Sequence, residues 1–458
     1  MAENSGEPRH YLFCLRHFND IDNITPAIHF LLQRRPVRVT VLIYSLDYDY
    51  SNDPSLCFLQ RTWGRRLSVT WIGRLAGYSD VLITRPPARL LHRQLRKLLG
   101  LPVLERAITQ TQNAEWMQGL LKPLFLEWGD PATVIFDQNR CSVIAGLLAA
   151  FRACGVKRIV SLPVSPWINI NVLRQVDLIR INAEVFWKKH DYSSFDAIGQ
   201  VDTYYRDSLE ALFKQLDHPS PFQGREKVLG AIRFTDEWLE VRQTYTLDTN
   251  TKKRLAKTVS GTEFFTDEWL PNHLPYLAEA DIDVSAALPP RRRLLVLPSH
   301  RKNNTFWEEY LRTLHFLAQF EEYDIIVKPH TRYGDGYDDL PENIRLVPEL
   351  DTSALIEWSE IILFWSSSVV LEGFMKERIM INLDYLNGNR SVFTLLGAGY
   401  ICHCRDDLLT VLLNNKVMEQ AVEASVQGRE LLCSQVIQGG QGKGVVDRYL
   451  DFCEEGTD

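Results

Sequence analysis

The sequence lacks the long apolar segment and the paired cysteines that characterise membrane and disulfide-bonded proteins. No run of eighteen or more uninterrupted apolar residues occurs, and residues 1–10 do not show the basic-then-apolar pattern of a signal peptide. The eight cysteines are scattered without C-x-x-C spacing, which predicts reduced thiols and no zinc site. We therefore expect a cytoplasmic protein, with a peripheral location on the inner face of the cytoplasmic membrane as an open alternative.

An excess of basic charge is also missing. The formal net charge is −7, whereas nucleic-acid-binding domains usually carry a basic stripe. We expect no nucleic-acid partner, so any anion site must be local. One basic segment, residues 85–99 (RPPARLLHRQLRKLL), alternates arginines with leucines as an amphipathic helix does. This pattern favours either contact with an anionic membrane surface or an ordinary domain helix whose arginine stems cover apolar surface.

The length of 458 residues predicts two large domains, and both halves alternate β-branched apolar segments with helical patterns. We predict an α/β fold with two Rossmann-like domains, each containing a parallel sheet. The domain prediction is 1–240 for the first domain, 241–290 for a linker, 291–440 for the second domain and 441–458 for a closing helix. Predicted strands are 11–15, 37–44, 133–136, 157–162, 177–181, 228–232, 294–297, 323–328, 344–347, 361–364 and 379–383. Predicted helices include one that begins at Thr25-Pro26 and others at 141–154, 307–320, 352–358 and 367–375.

Polar residues follow the predicted strands of the second domain. The segment Val327-Lys328-Pro329-His330-Thr331-Arg332 comes at the carboxyl end of a strand, the edge at which open α/β sheets bind ligands. Lys328 and Arg332 offer charge-assisted donors, and His330 can donate to a phosphate oxygen or transfer a proton. The alternative is a solvated loop whose histidine only caps the strand.

A second polar segment follows a neighbouring strand. Ser366, Ser367 and Ser368 precede a predicted helix, and hydroxyl and amide groups at a helix N-terminus suit a phosphate. Serine is also a common N-cap, so a purely structural role stays open. Glu372 lies further along this helix and could reach a ribose hydroxyl or lie on the surface. A third loop containing Ser299, His300 and Arg301 could close over the same ligand.

The first domain offers candidates for a catalytic base. The segment from Arg16 to Asp22 follows the first strand as a predicted loop, and it contains His17, Asp20 and Asp22. Each could take a proton from a hydroxyl group or could be a capping or salt-bridged residue. Asp137 directly follows another strand, where it should face the ligand crevice.

The K-P-H segment and the serine motif resemble the donor half of GT-B transferases, best over residues 294–415. The nearest in pattern are CDP-glycerol glycerophosphotransferases and similar enzymes that make bacterial surface polymers. The resemblance implies an active site in an interdomain cleft and a closing helix that returns to the first domain. It also implies that His330 contacts the donor phosphate or assists the leaving group, that the serines bind phosphate, and that Lys328 and Arg332 add positive charge.

The expected reaction is transfer of a sugar or a polyol phosphate from a nucleotide-activated donor to a hydroxyl of a glycan or lipid-linked acceptor in surface polysaccharide biosynthesis. We expect no metal and no cofactor besides the nucleotide co-substrate, because side chains supply the positive charge and the D-x-D sequences lack basic or serine neighbours. Two alternatives stay open: a hydrolysing UDP-sugar 2-epimerase and a non-catalytic scaffold that binds a nucleotide or a polymer.

Overall fold

The computed structural model describes residues 8–456, except for 47, 49, 79–99, 138–140, 167, 170–191, 221, 247–290, 300, 302–304, 331–335, 338 and 349. The basic segment 85–99, the predicted strand 177–181 and most of the predicted linker 241–290 lie outside the described residues. The chain divides into an N-terminal unit (Met1–Pro166, Leu173–Arg233 and Gln438–Asp458) and a C-terminal unit (Trp167–Val172 and Phe234–Ile437). Within the described ranges, no helix combines the length and apolar character needed to cross a bilayer.

The N-terminal unit is built on a seven-stranded sheet in which all neighbouring strands are parallel. The strands are β1 His10–Leu15, β2 Arg38–Ile43, β3 Leu67–Trp71, β4 Thr133–Phe136, β5 Ile159–Ser161, β6 Ala197–Gln200 and β7 Glu226–Val228. Their order is β3-β2-β1-β4-β5-β6-β7, so the direction of winding reverses between β1 and β4. Such a switch point opens a crevice at the carboxyl ends of the two strands, which is where α/β sheets bind ligands.

The helices of this unit include two that differ from the prediction. The described helices of the N-terminal unit are Phe18–Arg34, Pro54–Trp63, Ile72–Leu75, Leu101–Thr109, Ala114–Trp128, Ala145–Ala153, Thr203–Gln215 and Val445–Glu454. The predicted helix 141–154 is divided, because residues Cys141–Val143 form a 3-10 turn before the helix that starts at Ala145. The predicted strand 228–232 was placed too late, since Gly230 adopts a φ of 93° that ends extended structure after Val228.

The helix predicted to begin at Thr25-Pro26 begins at Phe18 instead, so most of the predicted Arg16 to Asp22 loop is helical. The carbonyl of His17 accepts from the backbone N–H groups of Asp20 and Ile21, which closes a first turn eight residues before the predicted one. Pro26 therefore lies inside the helix. Proline has no backbone N–H, so Pro26 cannot donate the hydrogen bond of a helix interior. Burial of the surrounding residues offsets this loss of stability. The base candidates Asp20 and Asp22 therefore lie on a helix, and His17 is its N-cap.

The C-terminal unit contains a six-stranded parallel sheet. Its strands are β8 Arg292–Leu297, β9 Tyr323–Val327, β10 Ile344–Leu346, β11 Ile361–Phe364, β12 Ile379–Leu383 and β13 Tyr400–Cys402, in the order β10-β9-β8-β11-β12-β13. Its helices are Asp236–Thr246, Trp307–Leu317, Thr352–Trp358, Val370–Met375, Val392–Leu396, Arg405–Leu413 and Asn415–Leu432. The central strands of both sheets are almost wholly buried, which explains their continuous apolar sequences, whereas β7, β10 and β13 are only partly buried.

A buried histidine in the N-terminal unit gives a prediction for pH dependence. His29 is 5% exposed, and its Nδ1 accepts a hydrogen bond of 3.2 Å from the Trp63 indole, so the ring is neutral. Burial lowers the pKa of His29 to about 4. Since the unfolded chain binds this proton near pH 6.5 and the folded chain does not, stability should fall by up to about 3 kcal/mol between pH 6.5 and 4.

Urea denaturation of wild type and His29→Gln at several pH values measures this dependence. The variant keeps a hydrogen-bond acceptor for the Trp63 indole. Its free energy of unfolding should depend less on pH than that of wild type. The exposed His315, changed to Gln, provides the control and should leave the profile as it is. Equal slopes for wild type and His29→Gln would contradict the assignment.

Candidate functional site

Three adjacent strands of the C-terminal unit end at the predicted phosphate-binding residues. In the sheet, β8 lies between β9 and β11, with Val296 aligned with Val327 and Leu297 aligned with Phe364. The segments after these strands therefore start side by side at one edge of the sheet. They contain Ser299, Lys328 with His330, and Ser366 to Ser368 respectively. The structure brings together three motifs that are far apart in sequence, and we call this group the C-terminal edge site.

Ser299 has the least satisfied side chain of this site. It is 2% exposed, and its Oγ has no hydrogen-bond partner among the residues that the structure describes. A buried hydroxyl without a partner costs free energy unless a ligand or water satisfies it. Ser366 differs, because it is 6% exposed and its Oγ donates to Asn169 Oδ1 at 2.6 Å. Ser299 is therefore the hydroxyl of this site that is best placed to bind a ligand.

The other serines do not form the helix N-terminus that the sequence predicted. The helix starts at Val370 and has only six residues, and Ser367 and Ser368 form a turn before it. In that turn the Ser367 and Ser368 carbonyls accept from the N–H groups of Val370 and Leu371. The prediction of a helix over 367–375 was wrong at its start, so a helix dipole cannot be invoked here. Both serines remain half-buried at the sheet edge.

The cationic residues are partly engaged. Lys328 is 7% exposed and its Nζ donates to the Pro348 carbonyl at 2.6 Å. His330 is half-buried in the same segment. Arg301 is exposed, and its guanidinium lies 5.4 Å from the centre of the Trp307 ring. The predicted residues His300 and Arg332 lie outside the described residues.

Glu372 lies neither at a ribose-binding position nor on the surface, the two environments that the sequence predicted for it. It is 2% exposed, and its Oε2 accepts from Arg242 at 2.9 Å; Arg242 is itself 5% exposed. Buried charges are stable in a protein interior only when they are paired and hydrogen-bonded. The structure therefore makes Glu372 half of a buried ion pair, not a surface residue and not a carboxylate that is free to bind a ribose.

The N-terminal unit holds a buried acidic cluster at the carboxyl ends of β1, β2 and β4. Asp20 is fully buried, and its Oδ2 lies 3.1 Å from Arg16 Nε and 3.1 Å from His17 Nδ1. Within the described part of the chain, Asp20 Oδ1 has no hydrogen-bond partner although it is buried. The side chains of Arg16 and His17 are 39% and 30% exposed. This arrangement gives one carboxylate oxygen that can accept a proton and a histidine at the rim.

Asp137 and Tyr44 complete the cluster. Asp137 is 1% exposed; its Oδ2 accepts from the Arg16 backbone N–H, and its Oδ1 accepts from the Tyr44 hydroxyl at 2.7 Å. Burial raises the pKa of Asp137 well above its usual range, and the nearby Asp20 raises it further. The sequence placed Asp137 at the crevice without assigning it a role, and it gave no sign of Tyr44. The only signal available for Tyr44 was its position one residue after a buried strand.

Asp22 does not belong to this cluster. Its Oδ2 pairs with Arg233 at 2.5 Å, and the two side chains are 8% and 9% exposed. A buried pair of this kind holds distant chain segments together, and removal of its charge destabilises the fold. The structure removes Asp22 from the base candidates and leaves Asp20 and His17.

Two parallel α/β sheets in separate units, each with polar residues at its carboxyl edge, define a protein with two Rossmann-like domains. This is the GT-B fold. No protein-family model matches the sequence, and a comparison with curated proteins gives no match.

Solved structures resemble the chain over nearly its full length. UDP-GlcNAc 2-epimerase from Neisseria meningitidis, bound to UDP-GlcNAc, has 12% identity and a TM-score of 0.54, covering 97% of this chain and 98% of that one. UDP-GlcNAc 2-epimerase from Methanocaldococcus jannaschii has 11% identity and a TM-score of 0.52, covering 92% and 98%. S. aureus MnaA with UDP has 12% identity and a TM-score of 0.51, covering 97% and 96%. These similarities show a shared fold.

Proposed function

We propose that the protein is an enzyme that uses a nucleotide-activated donor, most simply a glycosyltransferase that moves a sugar or a polyol phosphate to a hydroxyl acceptor. The observation that supports this proposal best is the C-terminal edge site. It combines a buried Ser299 hydroxyl after β8 with the Lys328 ammonium and the His330 imidazole after the adjacent strand β9. Hydroxyl donors and cations that converge on one edge suit a phosphate group.

In the proposed reaction, these residues bind the donor phosphates and stabilise the charge that develops on the leaving nucleotide. The Ser299 hydroxyl donates to a phosphate oxygen, which satisfies its buried Oγ. Lys328 supplies positive charge, and His330 donates a hydrogen bond, where the bond between the transferred group and the phosphate breaks. Because side chains provide this charge, we propose that turnover needs no metal ion. A glycan or lipid-linked hydroxyl is the proposed acceptor.

The N-terminal unit supplies the proposed base. Asp20 Oδ1 takes the proton of the acceptor hydroxyl, the acceptor oxygen forms a bond to the transferred group, and the nucleotide leaves with the electron pair of the broken bond. Arg16 and His17 hold the other oxygen of Asp20 and so orient the carboxylate. The proposal thus assigns base chemistry to one of the two carboxylates predicted on this segment.

A hydrolysing UDP-sugar 2-epimerase is the second candidate function. It would need acidic groups around the sugar, and the buried carboxyl groups of Asp20 and Asp137 fit that requirement. Product analysis separates the two candidates. An epimerase releases free UDP from a UDP-sugar without an added acceptor, whereas a transferase releases nucleotide in proportion to the acceptor consumed.

Calorimetric titration with UMP, UDP, CMP, CDP and GDP tests the donor site. One nucleotide should bind wild type, and Ser299→Ala should weaken it about 10- to 100-fold, because a hydrogen bond to a charged group contributes about 1.5–3 kcal/mol. His330→Ala should weaken the same nucleotide. The matched controls are Ser434→Ala and His315→Ala, which change a half-buried serine and an exposed histidine of the same unit outside the three segments of this site.

The outcome also decides between an enzyme and a scaffold. Binding that is lost in the site variants and retained in the controls supports the site, and donor consumption with an acceptor then supports transfer. Binding without consumption of any donor would favour the scaffold. If no nucleotide binds wild type, or if Ser299→Ala and His330→Ala bind as wild type does, the donor site is wrong.

A further inference from the structure

The acidic cluster of the N-terminal unit contains two carboxyl groups that are both buried. Asp20 is 0% exposed and Asp137 is 1% exposed, and Arg16 contacts both, through its side chain and its backbone N–H respectively. In the part of the chain that the structure describes, the other titratable groups beside the pair are His17, Tyr44 and Cys14. Two ionised carboxylates that share a buried site repel each other, so one of them holds a proton more tightly.

The hydrogen bonds distinguish the two carboxyl groups. Asp20 Oδ2 lies 3.1 Å from both Arg16 Nε and His17 Nδ1, so the Arg16 guanidinium is on the Asp20 side of the cluster. Among the described residues, the groups that hydrogen-bond to Asp137 are neutral, namely the Arg16 backbone N–H and the Tyr44 hydroxyl. Charge-assisted partners stabilise the ionised form, whereas neutral partners in a buried site do so much less.

We infer that Asp137 holds a proton at neutral pH, whereas Asp20 is the carboxyl group that the Arg16 guanidinium contacts. The inference rests on the proposed function only where it makes Asp20 the base. Asp137 is then a positioning residue: it places a neutral hydrogen-bonding group beside the base where a second negative charge would repel it.

The position of the proton follows from the chemistry of the partners. The Arg16 backbone N–H can only donate, so Asp137 Oδ2 must accept and the proton must be on Oδ1. The Tyr44 hydroxyl can donate or accept, and with Oδ1 protonated the contact of 2.7 Å reverses so that the carboxyl group donates to the phenol oxygen. Burial raises the pKa of Tyr44 well above its usual range, as it does for Asp137 and for Cys14. Tyr44 and Cys14 therefore stay neutral.

Infrared spectroscopy of the full-length protein tests this inference without any substrate. Wild type at neutral pH should show the C=O stretch of a protonated carboxyl group, and Asp137→Asn should lose that band while Asp20→Asn keeps it. Tyr44→Phe retains the carboxyl group but removes its acceptor, so the band should shift to higher frequency. This variant keeps the test valid if Asp137→Asn does not fold.

Absence of the band in wild type, its survival in Asp137→Asn with loss in Asp20→Asn, or an unshifted band in Tyr44→Phe would each overturn the inference. A kinetic readout is independent. Because asparagine resembles a protonated aspartate, Asp137→Asn should leave the acid limb of the pH–rate profile where it is in wild type, whereas loss of a negative charge would move it to lower pH. If wild type turns over no donor, the proposed function fails while the infrared result still decides the proton position.

Discussion

Replacement of Glu372 with alanine should lower the free energy of unfolding by about 3–5 kcal/mol, because it leaves the Arg242 guanidinium buried without its main partner. The two side chains are 3% and 6% exposed, and a second acidic side chain among the described residues, that of Asp351, lies 3.9 Å from Arg242. Water therefore reaches the remaining charge poorly, and a weak contact with Asp351 replaces a hydrogen bond of 2.9 Å. Chemical denaturation with a probe in the C-terminal unit measures the effect.

Two further variants show whether burial causes the loss. Glu357 pairs with Lys376 and Arg378 near the surface, where its side chain is 35% exposed, so Glu357→Ala should cost less than about 1 kcal/mol. The double variant Arg242→Met, Glu372→Leu removes both charges and should recover most of the stability. Equal losses for Glu372→Ala and Glu357→Ala would contradict the account. A stable Glu372→Ala that loses nucleotide affinity would return Glu372 to the ribose role.

Asp20→Asn should reduce kcat by about 10²- to 10⁴-fold, the usual contribution of a positioned general base. Asparagine fills the same volume in the cluster but cannot accept the proton of the acceptor hydroxyl. Nucleotide affinity should stay unchanged, because the residues proposed to bind the phosphates belong to the C-terminal unit. Single-turnover measurements with saturating donor separate the loss in chemistry from any change in binding.

Asp22→Asn is the matched control for this variant. Asp22 is on the same helix and is also buried, but it pairs with Arg233. Its replacement should reduce stability, while the folded enzyme keeps kcat within about tenfold of wild type. If Asp20→Asn and Asp22→Asn lose activity equally, the base assignment is wrong and the helix acts only as a structural support.

The strands could be predicted because local sequence determines them. Segments such as Thr133–Phe136 and Ile361–Phe364 are short, β-branched or aromatic, and buried on both faces, and their predicted bounds are those of the structure. The polar residues at their carboxyl ends follow from the rule that parallel strands end at one edge. The fold and the position of the C-terminal edge site could therefore be predicted from the sequence.

The roles of individual charged residues could not be predicted from the sequence, because their partners are distant in the chain. Arg242 and Glu372 are 130 residues apart, and nothing in the local sequence of either one indicates the pair. The same holds for Asp22 with Arg233 and for Tyr44 with Asp137. The start of the helix Phe18–Arg34 was predicted wrongly for another reason. Proline is favoured in the first turn of a helix, but Pro26 lies inside this one, where the surrounding residues are buried.

The most direct test of the central claim is a crystal structure of the protein with the nucleotide that binds most tightly. The account predicts that the phosphates lie at the ends of β8, β9 and β11, within hydrogen-bonding distance of Ser299 Oγ and close to Lys328 and His330. A nucleotide bound elsewhere, or bound at this edge with Ser299 Oγ still buried and without a partner, would contradict it.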